Sequence, residues 1–169
     1  MHFYANDTQI YFAFKPEDKD NAVDRIEKCI QEVREWMAQN FLKLNDDKTE
    51  LITLGSHHNL SKLYHTNISI RGCTVEPSTQ VRNIGAVFDS ELKMEAQVAK
   101  ICKSAWHHMY QIGKIQPFLT QEDTRNVVHA LVTSKLDLNN CLLAGVPDSL
   151  IAKLQRVQNA SAKLSMYQE

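Results

Sequence analysis

His2-Phe3-Tyr4-Ala5-Asn6-Asp7-Thr8-Gln9-Ile10-Tyr11-Phe12-Ala13-Phe14 is the stretch on which the reading of this chain turns. β-branched and aromatic residues flank Ala5-Asn6-Asp7, whose residue types suit a tight turn. The pattern predicts a β-hairpin, with residues 2 to 4 entering and 8 to 14 leaving. Pro16 closes the second strand, and Glu17-Asp18-Lys19-Asp20 supplies acidic residues and cap candidates for a helix start. Val23, Ile26, Ile30, Val33 and Met37 then recur at helical spacing, which predicts one amphipathic helix ending near Asn40.

Further out, Leu44-Asn45-Asp46-Asp47 reads as a turn and residues 48 to 54 as a strand stopped by Gly55. A second hairpin is expected from Ile68-Ser69-Ile70-Arg71 and Thr74-Val75-Glu76 around Gly72-Cys73, followed by one strand from 80 to 88. This order predicts an α+β lobe with a mainly antiparallel sheet. After Asp89 the period changes. Met94, Val98, Ile101, Ala105, Met109, Ile112 and Ile115 follow helical spacing up to Pro117, and Thr120-Gln121-Glu122-Asp123 resembles a capping box for a helix through Val127, Val128, Leu131 and Val132. A short helical piece from 136 to 143 ends at Gly145, and Pro147-Asp148 opens a last helix carrying Leu150, Ile151, Leu154, Val157 and Leu164. The C-terminal half reads as a helical bundle.

Composition sets the bounds on function. With 169 residues, 43% hydrophobic and only 5 Gly and 4 Pro, the chain is neither disordered nor fibrous. Its longest apolar run, residues 10 to 14, is far below the ~20 residues a membrane helix needs. The opening residues lack a basic leader and a cleavage site, so an intracellular place, nuclear or cytoplasmic, is expected. Cys29, Cys73, Cys102 and Cys141 never fall in a Cys-x-x-Cys pair and are expected to be reduced and buried. Residues 1 to 55 hold 7 basic and 11 acidic side chains, and residues 56 to 169 hold 12 and 9, which makes the later part the better partner for a polyanion. The histidines His57, His58, His65, His107 and His108 do not pair with cysteine at zinc-ligand spacing. Trp36 and Trp106 sit in helical patterns and are expected in a core or lobe interface.

Tyr4-Ala5-Asn6-Asp7 matches the Tyr/Phe-Ala-Asp-Asp box of the reverse transcriptases of non-LTR (LINE-type) retrotransposons, and Thr8-Gln9-Ile10-Tyr11 extends it. Phe41-Leu42-Lys43-Leu44-Asn45-Asp46-Asp47-Lys48-Thr49-Glu50 looks like the next palm motif of that family. Val81-Arg82-Asn83-Ile84-Gly85-Ala86-Val87-Phe88-Asp89 is similar to its Leu-Gly strand beside the primer. Ser134-Lys135-Leu136-Asp137-Leu138-Asn139-Asn140 and Leu154-Gln155-Arg156-Val157-Gln158-Asn159-Ala160-Ser161-Ala162-Lys163-Leu164 resemble its recurrent helical patterns. The whole chain therefore resembles the C-terminal part of such an enzyme.

The resemblance implies an α+β fold: a partial polymerase palm of antiparallel sheet plus helix over 1–89, then an all-helical thumb-like bundle over 90–169. It implies an RNA-directed DNA polymerase using an RNA template, a DNA primer, deoxynucleotides and two Mg²⁺ ions, with no membrane partner. Asp7 takes the place of a palm metal ligand, Asn6 that of its acidic neighbour, and Lys48 a position near the triphosphate. Tyr4, Arg82, Ile84 and Gly85 fall beside the primer, and Lys100 and Lys103 on the thumb-like helix. The family's first metal-binding Asp lies on a strand ahead of the box, and the sequence starts at the box, so that ligand and the fingers are expected to be missing. Asn6 removes a further carboxylate, and polymerase activity is expected to be absent, since the metals supply the transition-state stabilisation.

Two other readings stand beside this one. Lys100, Lys103, Lys114, Arg125, Lys135, Lys153, Arg156 and Lys163 outnumber Glu122, Asp123, Asp137 and Asp148 over residues 96 to 164, which fits a nonspecific nucleic-acid-binding remnant without catalysis. A translated relic with no selected role predicts instead an opening hairpin with an uncovered edge and exposed Tyr11, Phe12 and Phe14.

Overall fold

The computed structural model of the chain describes residues 2–4, 7–63, 66–70 and 72–166. It is mixed α+β and mainly helical. The chain divides into two compact units, residues 1–81 and 82–169.

In the first unit, strands β1 (His2–Tyr4) and β2 (Asp7–Gln9) pair antiparallel, with Tyr4 opposite Asp7 and His2 opposite Gln9. The expected hairpin is present but short: pairing stops at Gln9, and residues 10 to 15 belong to no strand. The Arg25 guanidinium lies over the Phe12 ring, 5.1 Å from its centroid, while Tyr11 stays exposed. Pro16 starts a 3₁₀ turn that leads into α1 (Lys19–Gln39), where a proline's missing N–H goes unmissed. The helix ends as its spacing predicts, with the Asn40 side chain donating to the Trp36 carbonyl at 2.8 Å. Ala22 is buried, and Val23, Ile26, Ile30, Val33 and Met37 are half-buried.

The expected strand over 48–54 does not form. Asp46–Lys48 is a 3₁₀ turn, anchored by Arg34 Nη2 donating to both Asp46 carboxylate oxygens, at 2.5 and 2.6 Å. Beyond it, Leu51 makes a single parallel bridge with Pro77, and Ser78 N donates to the Leu51 carbonyl at 2.7 Å. Residues 48 to 54 have strand propensity, but the neighbour they meet is a proline without an N–H, so the ladder cannot lengthen there. A short helix α2 (His57–Leu60), capped by the Ser56 hydroxyl, follows. Strands β3 (Ile68–Ile70) and β4 (Cys73–Val75) pair antiparallel, Ile70 opposite Cys73, with Gly72 at φ 78° in the turn. Ile68 and Ile70 are buried, and β3 packs against α1, where Ser69 N donates to Glu27 Oε1 at 2.6 Å.

The expected strand from 80 to 88 is instead a hairpin of β5 (Gln80–Asn83) and β6 (Ala86–Asp89). Ile84 at φ 44° and Gly85 at φ 82° make the two-residue, left-handed turn that matches the twist of paired strands. Among the described residues the strands form three separate two-stranded pairs in place of the mainly antiparallel sheet expected from the sequence.

The second unit holds the main core. Asp89 ends β6 and accepts from three backbone N–H groups, those of Glu91 (3.2 Å), Lys93 (2.8 Å) and Met94 (2.7 Å). This carboxylate holds Leu92 and Met94 at positive φ and aims the chain into α3 (Glu95–Ile115). The buried Gln97 side chain of α3 accepts from Val87 N at 2.9 Å, which ties β6 to the helix and explains why the division falls within β5, at 81/82, rather than at 89. Thr120 and Asp123 form the reciprocal capping box their spacing predicts, opening α4 (Gln121–Val128). The helix continues through a π turn, His129–Thr133, into α5 (Ser134–Asp137). The helical piece expected over 136–143 is broken by extended Leu138 and by Asn139 at φ 62°, leaving a 3₁₀ turn Asn140–Leu143 before α6 (Asp148–Met166). Two apolar clusters result: Ala105, Met109, Ile112, Val128, Val132 and Val157 at one end, and Met94, Val98, Leu143 and Leu150 with Phe88 at the other.

Candidate nucleic-acid interface

Five of the sequence-predicted residues, Arg82, Ile84, Gly85, Lys100 and Lys103, belong to the hairpin and first turns of α3 in the second unit. The Lys100 ammonium donates to the Gly85 carbonyl at 3.0 Å, which brings the turn and the helix together. Lys100 is exposed, but partial loss of water around its ammonium, and then the positive charge of Arg82, hold it below the usual lysine value. Arg82, on β5 of the same hairpin, adds a second positive charge to this junction. Among the described residues neither has an ion-pair partner.

Ile84 adds a second unfavourable feature at the same place. A β-branched side chain in the left-handed region is strained, and this one is also 47% exposed. Strain of this kind persists where the surroundings or the function require it. Ile84→Asn places a residue suited to the left-handed turn there, and is expected to raise stability by about 1 kcal/mol. Thermal melting of the two proteins checks this; an equal or lower midpoint for the variant contradicts the strain.

Beyond Lys100, α3 carries its apolar positions on one side and a different surface on the other. At 3.6 residues per turn, Lys103, His107, Tyr110 and Lys114 lie opposite the buried Val98, Ile101, Ala105, Met109 and Ile112, with Trp106 on the flank beside Tyr110. These four and Trp106 are exposed. The Lys114 ammonium sits over the Tyr110 ring, 4.3 Å from its centroid. No Asp or Glu occurs from Ala96 to Gln121. Trp106, expected in a core or lobe interface, is 50% exposed because the apolar stripe of α3 is filled without it, and Trp36 on α1 is exposed as well. Sequence reasoning preferred a core or lobe-interface place for Trp106 over a base-stacking one and did not single out Tyr110; the signal available was their i, i+4 spacing on a helix that lacks carboxylates from 96 to 121.

On another side of α3, Lys135 Nζ donates to Ser104 Oγ at 3.0 Å. Burial first, then Lys135 and the neighbouring His107, hold the His108 imidazole below its ordinary value. The cysteines differ from expectation: Cys73, at the start of β4, and Cys141, in the 3₁₀ turn whose buried residue is Leu143, are exposed. Cys102 is half-buried, and burial pushes its thiol up.

The residues assigned to catalysis are not gathered in the same way. Asp7 is exposed in β2, opposite Tyr4 in register, and Lys48 is exposed at the end of its 3₁₀ turn. Asn6 lies outside the described residues. Among the described residues no three His, Cys, Asp or Glu side chains converge to hold a metal, so the described donor set does not fit paired Mg²⁺. No described helix is long and apolar enough to cross a membrane. Comparison of the chain with protein-family models, with curated proteins and with solved structures finds no match.

Proposed function

We propose that this chain is a palm and thumb segment of a non-LTR retrotransposon reverse transcriptase that keeps contacts to nucleic acid and lacks the carboxylate set for synthesis. The ordered motif matches motivate the family. The observation that carries the binding role is the junction of Arg82, Gly85 and Lys100. Holding two cations together without a counter-charge is unfavourable in the free protein, and a phosphate backbone relieves it. An RNA template and a DNA primer are the partners, met inside the cell in nucleus or cytoplasm.

Polymerisation is not part of the proposal. Asn6 stands where the family has a carboxylate, and Asp7 supplies one ligand where paired Mg²⁺ and deoxynucleotide triphosphates need several. Purified chain mixed with a labelled RNA template and DNA primer at low salt is expected to bind and, with Mg²⁺ or Mn²⁺ and deoxynucleotides, to extend nothing. Extension contradicts the catalytic part of this reading, and absence of binding contradicts its core. The relic reading keeps part of its expectation, since the opening hairpin is a two-stranded pair and Tyr11 is exposed while Phe12 and Phe14 are half-buried; the two apolar clusters and the capping box of the second unit weigh against it.

A further inference from the structure

We infer that the outward face of α3 is a stacking platform for a single-stranded segment of nucleic acid, with bases on Trp106 and Tyr110 and phosphates on Lys103 and Lys114. This rests on the nucleic-acid-binding role proposed above and specifies which form of polynucleotide the face selects. Three observations carry it.

The first is exposure. Trp106 is 50% and Tyr110 63% exposed, on a helix whose core positions are already filled. The second is charge. Lys103 and Lys114 bracket the rings, and the surrounding sequence from 96 to 121 contains no carboxylate. A partner helix of apolar character leaves these ammonium groups without counter-charge, whereas a polyanion matches them along the whole face. The third is geometry. Four residues of helix advance about 6 Å, close to twice the ~3.4 Å spacing of stacked bases, so the two rings are set to meet bases along one strand. Lys114 covers one face of Tyr110 and leaves the ring available on its exposed side.

Single strands are favoured over duplex by what each form offers. A duplex stacks its bases internally and presents only edges and phosphates, so rings on a convex helix find no open base face. A single strand offers a base face to each ring and tolerates any sequence.

The test uses the full chain and fluorescein-labelled oligonucleotides of about 12 nucleotides, as single-stranded DNA, single-stranded RNA and the matching hybrid duplex. Single strands are expected to bind more tightly than the duplex. Trp106→Ala and Tyr110→Ala are each expected to weaken single-strand binding by about tenfold and leave duplex binding and the melting midpoint unchanged. Trp106→Phe, which keeps a ring, is expected to retain most of the affinity. In a Trp36→Phe background the remaining Trp106 emission is expected to be quenched by a single strand. Equal binding of both forms, with ring variants neutral and Lys103→Ala weakening both, overturns the stacking inference and leaves the proposed function standing. Absence of binding to every form overturns both.

Discussion

Replacing Ile112 with alanine is expected to lower the stability of the 82–169 unit by about 3 kcal/mol. Ile112 is 1% exposed and lies in the cluster with Ala105, Met109, Val128, Val132 and Val157, where α3, α4, the π turn and α6 close on one another. Removing its outer carbons takes away their transfer free energy and leaves a cavity among residues fixed by four backbone segments, which collapse poorly. Ile115, one turn later on the same helix, is 46% exposed, and its replacement by alanine is expected to have an effect of only about 0.5 kcal/mol. Urea titration of both variants distinguishes the cases through the midpoint, with an unchanged slope showing that stability alone moved. Equal shifts for the two positions contradict the placement of this core.

Replacing Arg82, Lys100 and Lys103 together with alanine is expected to weaken binding to an RNA–DNA primer–template about a hundredfold or more at low salt, because charge-assisted contacts to phosphate are among the strongest polar ones. The triple variant is also expected to reduce the salt dependence by about one logarithmic unit for each phosphate contact removed. These side chains are exposed or lie at a surface turn, so the melting midpoint is expected to change little. A fold stabiliser would behave the other way, losing the midpoint and leaving the salt slope intact. The Lys100 to Gly85 bond is the one structural contact at stake, and Lys100→Arg preserves a donor and a charge there.

Periodicity made the helices legible. The 3 and 4 spacings of α1, the seven apolar positions leading through α3 and the Thr120–Asp123 box each encode local hydrogen bonding or one buried stripe, and such features are written in contiguous residues. Strands depend on a partner elsewhere, and there the reading slipped. Residues 48 to 54 carry the side chains of a strand but meet Pro77. Residues 80 to 88 look continuous because Ile84 hides a turn that Asn or Gly would have announced. The grouping of Arg82, Gly85 and Lys100 is anticipated only as scattered positions along a resemblance, since a separation of fifteen positions gives no sign that the turn carbonyl meets the lysine. The helical pattern around Trp106 predicts a core or lobe-interface place, but the apolar stripe of α3 is filled without it and the side chain is half exposed.

The central claim, that this chain holds nucleic acid through its backbone phosphates, is tested most directly by the affinity of the full chain for a primer–template with a single-stranded template overhang, followed by anisotropy across a salt series. A linear fall of log K with log salt is predicted, with a slope of about −2 to −3 for three or four phosphate contacts. An affinity that does not change with salt, or no binding at the lowest salt, contradicts it.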